Sequence, residues 1–205
     1  MKYYHIKNPF FNSNTFILEK SNKKIIIIDP GNPEIDSLVD MINENKWSIE
    51  GVVLTHEHAD HVIGLLELYK LKIFPIYCSR ACSVNIRNSK SNLSKYIEEI
   101  NPFELHMPTQ IVEDNETFKV GEFDFWFMET PGHSPGGACI FTSNAVFVGD
   151  TILNKQKVPL NFPHSDRLLY SKSLKKLESH IKLGMTVYPG HGEPFVYTSL
   201  EDISV

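Results

Sequence analysis

Residues 52–61 read V-V-L-T-H-E-H-A-D-H, so three histidines and two carboxylates stand directly behind an apolar run. An apolar run of this kind, opened by Gly51, predicts a buried strand. Titratable side chains beside a buried strand carry a desolvation cost unless a metal ion or partner groups compensate it. The segment therefore predicts a fold in which a core strand ends at a metal or catalytic site.

The remaining patterns predict strands and helices in mixed order. Short β-branched or aromatic runs predict strands at residues 14–19, 24–29, 118–120, 122–130, 138–142, 145–148 and 185–188. Helical spacing of apolar residues predicts helices at residues 33–45, 62–69, 90–99 and 168–181, the last with Leu168, Leu169, Leu174 and Leu177 as its apolar stripe. Some strands follow one another directly and others are separated by helices, which predicts a mixed sheet system covered by helices.

Composition limits the class of protein. A length of 205 residues with 41% hydrophobic residues favours a single domain over residues 1–205 with a packed core. The net charge of -5 disfavours nucleic acid as a partner. No apolar run approaches the roughly 18 residues of a membrane helix, so we expect a cytoplasmic protein with a small-molecule substrate and no membrane contact. Its three cysteines lack C-x-x-C spacing, which disfavours disulfides and thiolate zinc sites.

Histidine or carboxylate residues follow several of the predicted strands. They occur in T-P-G-H-S-P-G-G at residues 130–137, G-D-T at residues 149–151 and P-G-H-G at residues 189–192. Together with residues 56–61, they form four loops at strand ends that can converge on one point. Such a point predicts a functional site.

Imidazole and carboxylate groups are ligands that zinc, iron and manganese accept. His56 and His58 project to the same side of an extended segment, because side chains alternate with period two, so they can hold one ion together. Asp60 and His61 lie a short turn later and suit a second ion. The same alternation turns Glu57 away, so it is not expected to be a ligand.

These motifs, in this order, resemble the metallo-β-lactamase fold superfamily. Its signature H-x-H-x-D-H appears as residues 56–61, preceded by Asp29-Pro30-Gly31 and followed by the three loops above. The resemblance covers nearly the whole chain. It implies an α/β (α+β) fold, a four-layer αββα sandwich of two mixed β-sheets flanked by helices, with the site at one edge of both sheets.

The resemblance also implies a set of ligands for two divalent metal ions, zinc first, with iron or manganese as alternatives. His56, His58 and His133 would bind the first ion, Asp60, His61 and His191 the second, and Asp150 would bridge both. Asp60 would in addition orient the attacking water as the catalytic carboxylate. Asp29 is a candidate hydrogen-bond acceptor for one of the ligand imidazoles, or a plain turn residue before Pro30.

Within the superfamily, T-P-G-H-S-P-G-G and P-G-H-G are most similar to the glyoxalase II group of thioester hydrolases. Only 14 residues follow His191, so we expect a short form without the C-terminal helical domain that binds glutathione. Residues 157–166 lack the glycine-arginine pair that many relatives carry after G-D. The resemblance therefore implies a hydrolase that uses a hydroxide held by two metal ions on a small thioester or ester, without specifying glutathione.

Other activities of the same fold stay open. A mononuclear iron persulfide dioxygenase would hold its metal with His56, His133 and Asp150. Lactonase, β-lactam and phosphodiester hydrolysis are further alternatives, as is a binding or regulatory protein without turnover. We expect residues 155–164 and the loop after Phe10-Phe11 to line the substrate pocket, with Lys157, Asn161 and Tyr170 either contacting an anionic substrate or solvated.

Overall fold

The computed structural model describes residues 1–199 of the chain. The strands are β1 Lys2–Lys7, β2 Asn14–Glu19, β3 Lys24–Ile28, β4 Ser48–Val53, β5 Ile76–Cys78, β6 Gln110–Ile111, β7 Thr117–Val120, β8 Phe123–Glu129, β9 Ala138–Phe141, β10 Ala145–Gly149, β11 Thr186–Pro189 and β12 Phe195–Val196. The α-helices are α1 Asp36–Glu44, α2 Ala59–Val62, α3 Leu65–Leu71, α4 Arg80–Asn85 and α5 Arg167–Glu178, and 3₁₀ turns lie at Ser21–Lys23 and Ser94–Tyr96.

The strands form two six-stranded sheets. The first has the order β1-β2-β3-β4-β5-β6 and the second the order β12-β11-β10-β9-β8-β7. In the first sheet, β1 to β3 are antiparallel neighbours and β3 to β6 run parallel. In the second, only β10 and β11 are parallel. Both sheets are mixed, as the sequence predicted.

The structure has four layers, helices–sheet–sheet–helices, and a core of buried apolar side chains fills each of the three spaces between them. Between the sheets lies an aromatic-rich core that includes Phe16, Ile28, Phe123, Phe127 and Phe147. Alternate residues of β2 and β3 point out of this core, because side chains alternate along a strand. The four-layer αββα sandwich predicted from the sequence is therefore confirmed.

Helices cover the outer face of each sheet. Leu38 of α1 and Leu65 of α3 pack with Ile27 against the first sheet. On the second sheet, Leu177 of α5 packs with Val148. On the outer side of each sheet, the apolar face of a helix is thus buried against the apolar face of the sheet.

Polar side chains fix where two of these helices begin. Ser79 Oγ accepts a hydrogen bond from the backbone N–H of Cys82 at the start of α4. Asp166 accepts from the N–H groups of Leu168 and Leu169 at the start of α5. Such N-caps satisfy backbone donors that have no partner within the helix.

Two helical predictions need correction. Residues 90–99 do not form a helix: only Ser94–Tyr96 makes a 3₁₀ turn, and Leu93 before it has a left-handed backbone with a φ of 67°. Asn88 Oδ1 accepts hydrogen bonds from the N–H groups of Lys90 and Ser91, so a local side chain replaces helical hydrogen bonds. In α5, Leu168 and Leu169 are exposed rather than part of an apolar stripe.

The other predicted elements are confirmed, with ends shifted by one to three residues where they differ. Short or amphipathic strands escaped prediction: β1, β5, β6 and β12. Cys78, Cys82 and Cys139 are buried free thiols, as expected. Over residues 1–199, no helix is both long and apolar enough to span a membrane.

Candidate metal centre

The predicted ligand loops meet at one edge of the sandwich, and they come from both sheets. His56 and His58 follow β4 of the first sheet, and the short helix α2 then carries Asp60 and His61. The second sheet contributes three ligand residues from the ends of three strands: His133 after β8, Asp150 after β10 and His191 after β11.

His56, His58 and His133 form a buried group whose ligand atoms lie within 4.8 Å of one another. The Nδ1 atom of His58 lies 3.0 Å from Nε2 of His133. Tetrahedral zinc with Zn–N bonds of about 2.0–2.1 Å would separate two ligand nitrogens by about 3.3 Å. This group therefore has the dimensions of a three-histidine metal site.

Asp60, His61 and His191 form a second group, also within 4.8 Å. Nε2 of His61 lies 3.3 Å from Nε2 of His191, and Asp60 Oδ2 lies 3.2 Å from the same His191 atom. One carboxylate oxygen and two imidazole nitrogens thus face a common centre. The second group can hold another divalent ion.

Asp150 lies between the two groups. Its Oδ2 atom is 3.4 Å from Nε2 of His133 in the first group and 3.4 Å from Nε2 of His191 in the second. Its Oδ1 atom is 3.8 Å from Nε2 of His61. The carboxylate can therefore contribute to both sites. All seven side chains that the sequence singled out lie in this one cluster.

Two buried atoms of the cluster test whether a metal fits. His56 Nε2 and Asp150 Oδ1 are buried and have no hydrogen-bond partner. An unsatisfied buried polar atom costs about 1–3 kcal/mol, more when it is charged. Cations bound by these residues would satisfy both atoms, so the donor set fits divalent metal ions.

Hydrogen bonds hold the protons of three imidazoles away from the cluster. Thr55 Oγ1 donates to Asp29 Oδ2 at 2.5 Å and lies 3.0 Å from His56 Nδ1, so it accepts the Nδ1 proton of His56. His61 Nδ1 donates to Asp29 Oδ2 at 3.1 Å, and His133 Nδ1 donates to the Pro159 carbonyl at 2.9 Å. Each of these rings therefore presents Nε2 to the cluster.

Asp29 combines with His56 and His61 in a third group of the same size. Both of its oxygens already accept hydrogen bonds: Oδ1 from the Thr55 N–H at 2.8 Å, and Oδ2 from Thr55 Oγ1 and His61. We therefore assign it to orienting the histidines rather than to binding an ion. This arrangement agrees with the acceptor alternative for Asp29.

The local charges favour bound cations. Burial, together with the neighbouring imidazoles His61 and His58, holds the pKa of His56 well below its usual value, so this ring is neutral and its nitrogen lone pair is free. Burial disfavours an ionised Asp150, but His191 and His133 outweigh it and hold the pKa of Asp150 well below the usual range. The cluster thus contains a neutral imidazole, His56, together with an ionised carboxylate, Asp150.

The carboxylates raise the proton affinity of one ligand. Burial lowers the pKa of His191, but Asp150 and Asp60 outweigh it and raise the pKa to about 11. The negative charge at this end of the cluster therefore attracts a cation, whether a proton or a metal ion. A metal ion in the second group would displace that proton.

Close backbone approaches explain two of the glycines. A Cβ at Gly31 would lie 1.8 Å from the Asp60 carbonyl oxygen, and a Cβ at Gly190 would lie 2.1 Å from Asp150 Oδ1. Neither distance is compatible with a side chain. The glycines of D-P-G and P-G-H-G therefore let the loops close around the cluster.

Glu57 faces away from the cluster, as the alternation predicted, but its role was not foreseen. The fully buried carboxylate accepts hydrogen bonds from Asn85 Nδ2 at 2.8 Å, Ser134 Oγ at 3.1 Å and the Gly136 N–H at 3.1 Å. It thereby ties the loop of His58 to the loop of His133. The sequence did offer one signal for this role, because Glu57 is a carboxylate that stands between the ligand residues His56 and His58.

A cleft of about 1050 Å³ opens onto the cluster and is lined by four of its residues: His58, Asp60, Asp150 and His191. Both predicted wall segments line it, through Phe11 of the N-terminal loop and through Lys157 and Phe162 of residues 155–164. Tyr170 instead donates to the Thr151 carbonyl, and Asn161 is not among the lining residues. A third wall, around residues 93–99, was missed because this segment was predicted to be helical.

Comparisons with known proteins agree with this geometry. Residues 8–191 match the Metallo-beta-lactamase superfamily. A Bacillus velezensis protein named "Probable polyketide biosynthesis zinc-dependent hydrolase BaeB" is 30% identical over 176 residues, 85% of this chain and 70% of that protein. A hydroxyacylglutathione hydrolase of Klebsiella pneumoniae is 31% identical over 150 residues, 73% of this chain and 51% of the enzyme. The chain thus spans about half the length of that second relative.

The fold has a near match among solved structures. The crystal structure of BLEG-1 B3 metallo-beta-lactamase superposes with a TM-score of 0.87 over 95% of this chain and 94% of the other, at 22% identity. At that identity, the likeness shows the fold alone. Because the family match spans residues 8–191 and the identity to BaeB is 30%, this chain belongs to the metallo-beta-lactamase superfamily.

Proposed function

We propose that this protein is a metal-dependent hydrolase that cleaves a small thioester or ester at a site for two divalent ions, zinc first. One observation carries the proposal: two groups of three ligand side chains lie on either side of Asp150, which lines an open cleft. Two metal sites about 3.5–4 Å apart are a recurrent arrangement in hydrolytic enzymes.

When bound, such ions supply a Lewis acid for a carbonyl oxygen and lower the pKa of water towards neutrality. The protein itself positions the ligand side chains. The hydrogen bonds from His56, His61 and His133 to their outer acceptors fix which nitrogen of each ring faces the cleft. Preorganised groups of this kind need no rearrangement during the reaction.

Two observations support Asp60 as the carboxylate that orients the attacking water. Its Oδ2 atom faces His191 and His61, which leaves Oδ1 to accept a hydrogen bond from water in the cleft. The residue lines the cleft, so water and substrate can reach it. Asp60 would therefore orient the water and take up its proton during attack.

The second ligand group favours this reaction over the iron dioxygenase alternative. A mononuclear site made of His56, His133 and Asp150 would give Asp60, His61 and His191 no metal-binding task. Yet Asp29 orients His61 by a buried hydrogen bond, and Asp60 and Asp150 lie within 3.4 Å of His191. This second set of oriented donors supports a two-ion hydrolase.

Thioester chemistry draws support from the relatives. One of them is a hydroxyacylglutathione hydrolase, and the motifs around His133 and His191 resemble the glyoxalase II group. The missing glycine-arginine pair in residues 157–166 argues for a thioester other than that of glutathione. The proposal is therefore a small thioester or ester with the thiol or alcohol portion left open.

A substrate panel tests the proposal. Thioester, lactone, β-lactam and phosphodiester substrates are offered to zinc, iron and manganese forms of the protein, and metal content is measured on protein from its native source. We expect thioester or ester hydrolysis with two ions per chain. One iron per chain with oxygen uptake, or hydrolysis confined to phosphodiesters or β-lactams, would contradict the proposal.

A further inference from the structure

The exposed aromatic side chains of this protein are concentrated in the cleft. Within residues 1–199, the exposed large aromatic side chains are Phe11, Tyr96 and Phe162, with exposed fractions of 52%, 57% and 36%. All three line the cleft above the ligand cluster. Exposed apolar groups gathered at one concave site are typical of a ligand-binding surface.

Phe162 lies against the first ligand group. Its ring is in edge contact with the rings of His58 and His133, with centroid distances of 5.5 and 5.6 Å. The same segment accepts the His133 proton through Pro159. A substrate group in contact with Phe162 would therefore lie beside the first ligand group.

A segment held by hydrogen bonds presents further apolar groups at the same end. The buried Asn92 accepts the Ala59 N–H through its carbonyl at 2.8 Å and donates from Nδ2 to the Phe103 carbonyl at 2.9 Å. This fixes the segment beside the loop of His58. Leu93, Tyr96 and Ile97 follow and line the cleft.

The backbone at this wall is strained. Leu93 has a φ of 67°, a left-handed conformation that is unfavourable for a bulky side chain. Ser94 stabilises the turn, because its N–H donates to Asn92 Oδ1 at 2.9 Å and its Oγ donates to the Phe103 carbonyl at 3.2 Å. Strain that persists beside a reactive centre is a pointer to function.

The cleft differs at its other end. Ser13 forms a β-bridge with His191, so Phe11 lies near the second ligand group. Lys7 is paired with Asn14, whose Nδ2 donates to the Gly192 carbonyl at 2.7 Å, and it lines this end too. The two carboxylates of the rim, Glu98 and Glu99, belong to the Tyr96 segment.

We infer that Leu93, Tyr96, Ile97 and Phe162 form a subsite for an uncharged apolar acyl group, attached directly to the carbonyl that is attacked. This inference rests on the proposed hydrolase function. The acyl carbon and the sulfur or oxygen of the leaving group are each one bond from the carbonyl carbon. Because the leaving group gains negative charge, the end of the cleft with Lys7 suits the leaving group, and the apolar end suits the acyl group. A charged acyl group would lose its hydration against these apolar side chains. The charged residues that line the cleft from the same two wall segments are two carboxylates, Glu98 and Glu99, and one cation, Lys157.

Three thioesters of one thiol test the inference. Acetyl, phenylacetyl and succinyl thioesters of N-acetylcysteamine are offered to the metal-loaded protein, and the released thiol is measured. We expect kcat/KM for the phenylacetyl thioester to exceed that for the acetyl thioester about tenfold to a hundredfold. The succinyl thioester should fall below the phenylacetyl one. Equal values, or a preference for succinyl, would overturn the inference.

Variants then locate the subsite. Tyr96→Ala and Phe162→Ala should each lower the phenylacetyl-to-acetyl ratio of kcat/KM about tenfold. The ratio should persist in Phe11→Ala, at the other end of the cleft, and in Leu168→Ala, an exposed leucine that does not line it. A loss in Phe11→Ala as large as in Tyr96→Ala would place the apolar group near His191 and overturn the assignment.

Binding without turnover separates this inference from the proposed function. By calorimetry, phenylacetate should bind the metal-loaded protein about tenfold more tightly than acetate, and Phe162→Ala should remove the difference. If none of the thioesters is hydrolysed, the proposed function fails, and the phenylacetate measurement alone decides on the subsite. If all three are hydrolysed equally and both acids bind equally, the subsite fails and the hydrolase stands.

Discussion

The buried carboxylate of Asp29 accepts a hydrogen bond from His61, with 3.1 Å between Oδ2 and Nδ1. The bond leaves Nε2 of His61 facing His191 at 3.3 Å. Asp29 itself has a left-handed backbone with a φ of 50°, a conformation that asparagine also tolerates. The pair thus offers a substitution that changes charge and hydrogen bonding while preserving the turn.

Asp29→Asn should weaken metal binding about tenfold to a hundredfold, because the outer hydrogen-bond partner of a ligand histidine fixes its orientation and basicity. Calorimetric titration with zinc measures the affinity. Asp40→Asn, an exposed carboxylate on α1, is the control and should bind zinc as the parent does. If Asp29→Asn bound zinc as tightly as the parent protein, Asp29 would have no role in orienting the ligand histidine and would be a turn residue only.

His58→Ala should lower the bound metal from two ions per chain towards one and reduce hydrolysis at least about a hundredfold. The reason is that the first group loses one of its three imidazoles. Metal analysis after dialysis and a thioester assay check both expectations. His106→Ala removes an exposed histidine outside the ligand groups and should behave as the parent. A His58→Ala protein that hydrolyses at the parent rate would refute the ligand assignment.

Removing the metal should abolish hydrolysis and lower the unfolding temperature, and added zinc should restore both. A ligand that binds only the folded state stabilises it by about 2.7 kcal/mol at a free concentration of 100 Kd. Thermal unfolding with and without a chelator, followed by circular dichroism, measures the shift. A catalytic rate that is insensitive to complete chelation would exclude the metal-dependent reaction.

Glu57→Ala should destabilise the fold by about 2–4 kcal/mol, because it leaves the buried donors of Ser134 and Gly136 and the half-buried donor of Asn85 without their acceptor. Urea unfolding measures the change. Glu67→Ala, which removes an exposed carboxylate paired with Lys70, should change stability little. Equal effects of the two substitutions would show that the buried bridge is dispensable.

Gly190→Ala should impair metal binding and hydrolysis, because the added Cβ would lie 2.1 Å from Asp150 Oδ1 and 2.8 Å from His61 Cε1. Gly184→Ala separates steric from conformational effects: its φ is 84° and no atom lies within 4 Å of the added Cβ. It should lose some stability and keep zinc affinity. Normal zinc binding by Gly190→Ala would mean that Asp150 can move without consequence.

Much of the fold was predictable because its long strands carry clear patterns: the unbroken β-branched run of Ile25 to Ile28, and the alternating Phe123, Phe125 and Phe127. The convergence of the ligand loops was predictable for a related reason. Each loop directly follows a buried strand, so the position of the strands determines where His58, Asp150 and His191 can lie.

The rest depended on contacts that are distant in sequence. The pattern of residues 90–99 fits a helix, but Asn92 is held by Phe103 and Ala59, and Leu93 turns left-handed as a result. The bridge from Glu57 to Ser134 and Gly136 joins segments 77 and 79 residues apart. No local spacing encodes such partners, so the third cleft wall and this bridge became apparent only in three dimensions.

Each ligand group draws residues from both sheets: His58 and His133 in the first, His61 and His191 in the second. An ion in either position would act as a crosslink between the two halves of the sandwich. Neither half could then keep an ion after separating from the other. When the protein unfolds, the parting of the sheets would therefore release both ions together.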